Sequence, residues 1–145
     1  MAVIEYSRNI LGLKKANSTE MDIDTEFPLI DLMENQKEII NKGGTMRLGA
    51  WDCKIEPNSR ASVIYNASEI SERHRHRYEL NNKYLKKLKS NGLNISGVNT
   101  KTGLAEIIEI KNHPWFIGVQ FHPEYKSTVL NPHPLFKSFI KACCN

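Results

Sequence analysis

The residues best suited to do chemistry are an imidazole and a carboxylate two positions apart, His122 and Glu124, with Pro123 between them. They follow the run Gly118-Val119-Gln120-Phe121, which is apolar enough to be anchored in a core. A strand fixed in this way holds an imidazole still, and proline fixes φ so that the chain can turn Glu124 back toward the ring. A carboxylate beside one ring nitrogen selects the tautomer and leaves the other nitrogen able to accept a proton. That is the base-and-orienter part of a nucleophile, base and acid triad. On residue type alone, a histidine and a glutamate after a strand are more often a hydrogen-bonded turn than catalysts, by roughly three to one given the weakness of short motifs.

A second concentration of chemistry lies between Ser71 and Tyr78. In an extended segment, Arg73, Arg75 and Arg77 would share one face and His74, His76 and Tyr78 the other. A solvated charged strand explains such a run about as well as a binding surface does. Two histidines without a neighbouring cysteine or acid complete only half a zinc site. An RNA-binding strip would need stacking aromatics beyond Tyr78. Glu20, in Asn17-Ser18-Thr19-Glu20, could close a capping box on Asn17, but residues 21–28 show no helical period to cap. Of the three cysteines, Cys53 stands alone and Cys143 and Cys144 are neighbours. They cannot form a disulfide framework, and none sits on a Gly-x-Cys-x-Gly turn of the kind that presents a nucleophile.

The elements that must carry these residues mix helix and strand. Val3, Tyr6, Ile10 and Leu13 predict a helix over residues 1–11, with Gly12 as its stop. After a polar stretch over 14–24, Pro28 to Met33 reads as a short strand, residues 34–41 as a polar excursion, and residues 45–51 as a second strand beyond Gly43-Gly44. Arg60 to Tyr65 gives one or two helical turns, and Ser71 to Leu80 is extended. Asn82 to Ser90 is a helix with Tyr84, Leu85 and Leu88 inward, ended by Asn91-Gly92. Leu104 to Ile110 and Trp115 to Phe121 are strands, the second so apolar that it should be central. A final helix runs from Pro134 to Ala142 with Leu135, Phe136, Phe139 and Ile140 on one side. The expected class is α/β, with a mixed sheet flanked by helices over residues 1–145 and no linker marking a domain boundary.

Composition adds bounds. With 145 residues, 40% apolar and 25% charged, the chain has the size and make-up of one globular domain. No apolar run approaches the roughly 18 to 20 residues of a membrane span, and the N-terminus lacks the layout of a signal peptide, so a cytoplasmic location is expected. A net charge of +4 permits nucleic acid as a partner without requiring it.

The string Gly118-Val119-Gln120-Phe121-His122-Pro123-Glu124 resembles the C-terminal signature of the class I glutamine amidotransferases, whose triad is Cys, His and Glu. Within that family, Glu72-Arg73-His74-Arg75-His76-Arg77-Tyr78-Glu79 resembles the CTP synthase glutaminase domain. Gly43-Gly44-Thr45-Met46-Arg47-Leu48-Gly49, Asn17-Ser18-Thr19-Glu20 and Asn112-His113-Pro114-Trp115-Phe116 do the same. The likeness runs the length of the chain. It implies an incomplete flavodoxin-like amidotransferase fold with His122 and Glu124 as catalytic residues. It gives Arg77 the α-carboxylate of L-glutamine, which suits a planar fork of donors, and Glu20 the α-ammonium group. Another family member, from the GMP or anthranilate systems, would share residues 121–124, and the 73–79 run argues against it. A non-catalytic remnant is a further alternative.

The resemblance also implies partners. The full protein would convert UTP to CTP with ATP and Mg²⁺ in an N-terminal synthetase domain, be activated by GTP and inhibited by CTP, and form a homotetramer. It assigns this chain no cofactor, metal, nucleic acid or membrane. In the family the nucleophile lies on a Gly-x-Cys-x-Gly elbow directly before a helix similar to the one that opens here. Met1 is therefore expected just beyond the nucleophile, with the elbow, the oxyanion-hole loop and earlier strands missing. The chain alone is expected to be inactive and, with an apolar edge uncovered, poorly stable.

Overall fold

The computed structural model describes residues 1–33 and 46–144. They divide into two compact units, Met1–Arg47 with His76–Gly92 and Leu48–Arg75 with Leu93–Asn145. The chain passes between units at 47/48, 75/76 and 92/93. No linker is legible in the sequence because each passage runs through or beside a secondary-structure element.

In the first unit, helix α1 (Ala2–Asn9) buries Val3, Ile4, Tyr6 and Ser7, one stripe at helical spacing. Ile10, expected on that stripe, is the C-cap residue and is exposed, while Leu13 is buried. Gly12 lies at φ +70, where the absence of a Cβ lets the chain turn away from the helix. Strand β1 (Ala16–Ser18) falls within the stretch read as polar loop. It pairs in parallel with β2 (Phe27–Asp31), and β2 pairs antiparallel with β5 (Glu79–Leu80), giving a three-stranded mixed sheet. The expected helix over 82–90 is a 3-10 turn (Asn82–Tyr84) leading into α3 (Leu85–Ser90). Only Leu88 is fully inside; Tyr84 and Leu85 are half-buried. The Tyr6 hydroxyl donates to the Asn91 carbonyl at 2.6 Å, tying the start of this unit to its end.

The second unit is built on a five-stranded sheet in the order β4-β3-β6-β7-β8. Its strands are β3 (Arg47–Ile55), β4 (Glu69–His76), β6 (Leu93–Asn99), β7 (Ala105–Ile110) and β8 (Ile117–Val119). The registers β3 to β6, β6 to β7 and β7 to β8 are antiparallel. Helices α2 (Arg60–Tyr65) and α4 (Pro134–Cys143) pack with it around Cys53, Ile55, Ala61, Ile107, Phe121 and Leu135. In place of the one sheet expected, each unit has its own, although the α/β class holds. Trp115 to Phe121 is not a central strand: its regular part is Ile117–Val119, half-buried and last in the sheet order. On α4, Leu135 is buried but Phe136, Phe139 and Ile140 are partly exposed. The excursion over 34–41, the Gly43-Gly44 pair and Thr45 lie outside the described residues.

Candidate active site

β7 directs the segment that carries the dyad. Past β8, the Gln120 N–H donates to the Glu106 carbonyl at 2.9 Å, and the Phe121 ring is buried in the core. His122 therefore emerges from a fixed point. It caps the 3-10 turn Pro123–Lys126, where proline at the first position has no N–H to leave unsatisfied. The turn brings the His122 Nδ1 to 2.7 Å from the Glu124 Oε1. The two side chains are 35% and 55% exposed.

A carboxylate can only accept, so Nδ1 carries the proton in that bond. Nε2 has no hydrogen-bond partner among the described residues. The ring also stacks on Tyr125, with centroids 5.3 Å apart and planes at 23°. Burial is the largest influence on the Glu124 carboxyl and pushes its pKa up. The His122 hydrogen bond, the carboxyl's own backbone N–H and the imidazole charge together outweigh burial, and the net effect holds Glu124 below its ordinary value.

Strand β4 holds the turn from the side. The His122 N–H donates to the Arg73 carbonyl at 2.8 Å, and the Lys126 Nζ donates to the Ser71 carbonyl at 2.6 Å. Alternate carbonyls of a strand point the same way, so the outer strand of the sheet uses one edge to fix the dyad. Between these contacts, the buried His74 ring meets Phe121 edge-on at 6.0 Å, with its Nε2 3.7 Å from the Glu106 Oε2. The expected alternation holds along β4, with Arg73 and Arg75 exposed and His74 inside, and it ends with the strand at His76. Arg77 lies in the bend beyond, half-buried.

The structure joins His122 and Glu124 directly and assigns Glu20 and Arg77 to the other unit. Glu20 is exposed in the turn after β1, with its N–H on the Ser18 Oγ at 3.2 Å. Also in that unit, Arg47 and Glu79 form a buried ion pair at 3.5 Å, and the His76 Nδ1 is 3.4 Å from the same Glu79 oxygen. This contact joins residues of two separate sequence hallmarks, 43–49 and 72–79. A third hallmark, residues 112–116, is a clamp. The Arg60 guanidinium donates to the His113 and Pro114 carbonyls at 3.0 and 2.8 Å, and the Trp115 Nε1 donates to the Ser138 Oγ at 2.8 Å.

Sequence reading missed the buried cluster of Tyr65, Glu72 and His133, which no local pattern announces. Glu72 Oε1 lies 3.1 Å from the Tyr65 hydroxyl and 2.9 Å from the His133 Nε2. Cys53 is buried in the core, and Cys143 and Cys144 are exposed on the last turn of α4 and at its cap. Among the described residues no group of three or more His, Cys, Asp or Glu could hold a metal, and no helix is long and apolar enough to cross a membrane.

Comparison with known proteins matches residues 2–142 to the family model described as "Glutamine amidotransferase class-I". The chain is 65% identical over 142 residues to the CTP synthase of Christiangramia forsetii, covering 98% of this chain and 26% of that protein. It is 64% identical over 145 residues to the CTP synthase of Flavobacterium johnsoniae, covering 100% and 27%. The chain thus spans about a quarter of the length of these curated relatives. Among solved structures it is similar to the glutaminase domain of the Trypanosoma brucei CTP synthase with bound acivicin, with a TM-score of 0.90 and 38% identity. That match covers 99% of this chain and 56% of the other.

Proposed function

The chain belongs to the class I glutamine amidotransferase family, and on that premise we propose that it is the histidine- and glutamate-bearing part of the glutaminase domain of a CTP synthase. The observation that carries the reading is the His122 to Glu124 bond at 2.7 Å, with the second ring nitrogen left for a reacting group. The likeness to CTP synthases supports the choice of member.

In this reading a cysteine outside the chain attacks the side-chain amide carbon of glutamine. The His122 Nε2 takes the thiol proton and delivers it to the nitrogen as the C–N bond breaks, so that ammonia leaves and a glutamyl thioester remains. Water then attacks the thioester while His122 accepts its proton. The S–C bond breaks, glutamate departs, and the proton returns to the thiolate. Glu124 keeps the imidazole in the productive tautomer and stabilises its charged form. Arg77 holds the α-carboxylate of glutamine and Glu20 its α-ammonium group. The released ammonia aminates UTP, activated by ATP and Mg²⁺, in a synthetase domain; no residue of this chain is assigned to those ligands.

Arg77 provides the test. In a complete polypeptide carrying this chain, Arg77→Ala should raise the KM for glutamine by about 10- to 100-fold, the loss of a charge-assisted hydrogen-bond pair. CTP formation from free ammonia should continue. Unchanged glutamine kinetics would remove Arg77 from the site, and an absence of CTP formation by the unmodified polypeptide would remove the reading itself.

A further inference from the structure

Two histidine–carboxylate pairs of the second unit, His122–Glu124 and His133–Glu72, use the ring in opposite ways. In His122 one nitrogen meets Glu124 and the other is unengaged among the described residues. In His133 both nitrogens are used. Nδ1 accepts the Leu135 N–H at 3.3 Å, capping α4, so Nε2 bears the proton and donates it to the Glu72 Oε1 at 2.9 Å. The same oxygen accepts the Tyr65 hydroxyl at 3.1 Å, and the Tyr65 Oη lies 3.3 Å from the His133 Nε2. Glu72 and His133 are 2% exposed. With no nitrogen left to accept a proton, His133 is not a second base.

This buried cluster adjoins the dyad by two short routes. Glu72 immediately precedes Arg73, whose carbonyl receives the His122 N–H. The His133 N–H donates to the Ser127 Oγ at 3.0 Å, and the Ser127 N–H in turn donates to the Glu124 carbonyl at 3.3 Å. The segment 122–133 is thus pinned to β4 at its beginning by Arg73, near its middle by Lys126 on Ser71, and at its end by Glu72. From this geometry we infer that Glu72, His133 and Tyr65 are positioning residues that set the orientation of the His122–Glu124 dyad. Misplacing a catalytic group by about 1 Å is enough to cost about 100-fold in rate, so a segment freed at one of its pins need move little for the dyad to lose most of its effect.

The inference rests on the glutaminase reading, and its test separates the two. In the complete polypeptide, His133→Asn keeps an oxygen able to cap α4 but is too short to reach Glu72. It should lower the glutamine-dependent kcat by about 10- to 100-fold. The KM for glutamine should stay within about twofold, a change too small to signal a lost ligand contact, and ammonia-dependent synthesis should be unchanged. Glu72→Ala should behave likewise. Glu72→Gln should restore most of kcat, because an amide oxygen still accepts from both partners and its nitrogen replaces a carboxylate oxygen with no hydrogen-bond partner among the described residues.

If Glu72→Ala does not fold, Tyr65→Phe removes one donor from the same carboxylate and should still lower kcat about threefold or more at constant KM, a lower bound for the loss of one hydrogen bond to a charged group. A wild-type kcat in His133→Asn or Tyr65→Phe overturns the positioning role, as does failure of Glu72→Gln to rescue. If His122→Ala retains glutamine use, the glutaminase reading falls with it; if only the His133 and Tyr65 variants are silent, the inference alone falls.

Discussion

The dyad makes a statement about protons as well as geometry. Burial pushes the Glu124 carboxyl up, but its bond to His122, its own backbone N–H and the imidazole charge together leave its pKa below the ordinary 4.5. A carboxyl depressed in the fold contributes stability that is present above its unfolded pKa and lost as pH falls through the folded one. The contribution should therefore be intact at neutral pH and disappear only below 4.5, and exposure keeps it small. The check is a ¹³C titration of the Glu124 carboxyl in the folded domain: its midpoint should lie under 4.5 and rise in His122→Ala. A midpoint at or above 4.5 in the unmodified protein would contradict the bond as described. His122 and Glu124 could be read from sequence because two residues and a proline determine their contact. Glu72 and His133 could not, since 61 positions separate them and nothing in the run that holds Glu72 points to His133.

Among the elements, β6 was hidden by its composition. Leu93-Asn94-Ile95-Ser96-Gly97-Val98-Asn99 contains polar residues and a glycine that lower strand propensity, yet it pairs with both β3 and β7. Its neighbours supply the hydrogen bonds, and Gly97 supplies the room. A Cβ there would lie 2.5 Å from the Ile107 Cγ1 and 2.8 Å from the Cys53 Sγ, both in the core. Gly97→Ala should therefore destabilise the domain by about 1 to 3 kcal/mol, the usual cost of overpacking, measured as a shift in urea midpoint at constant m-value. An unchanged midpoint would show that β6 and β7 do not approach as closely as described. The converse holds at 115–121. Apolar composition suggested a central strand, but much of that surface serves the Trp115 contacts to α4 and the burial of Phe121, and only Ile117–Val119 joins the sheet.

For the molecule as a whole, the α/β class was legible because helical and strand periods alternate along the chain. The division into two units was not, because the chain crosses between them inside or beside regular elements. The partition also sorts the proposed roles: His122 and Glu124 belong to one unit, Glu20 and Arg77 to the other. Proton transfer and substrate binding should accordingly respond to mutation in different kinetic constants. The most direct measurement compares two nitrogen sources in a complete polypeptide carrying His122→Ala. Glutamine-dependent CTP formation should fall by about 100-fold or more, the usual contribution of a general acid–base, while free ammonia supports the unmodified rate. Equal loss with both sources, or undiminished use of glutamine, would contradict the assignment of His122 as the proton carrier of a glutaminase.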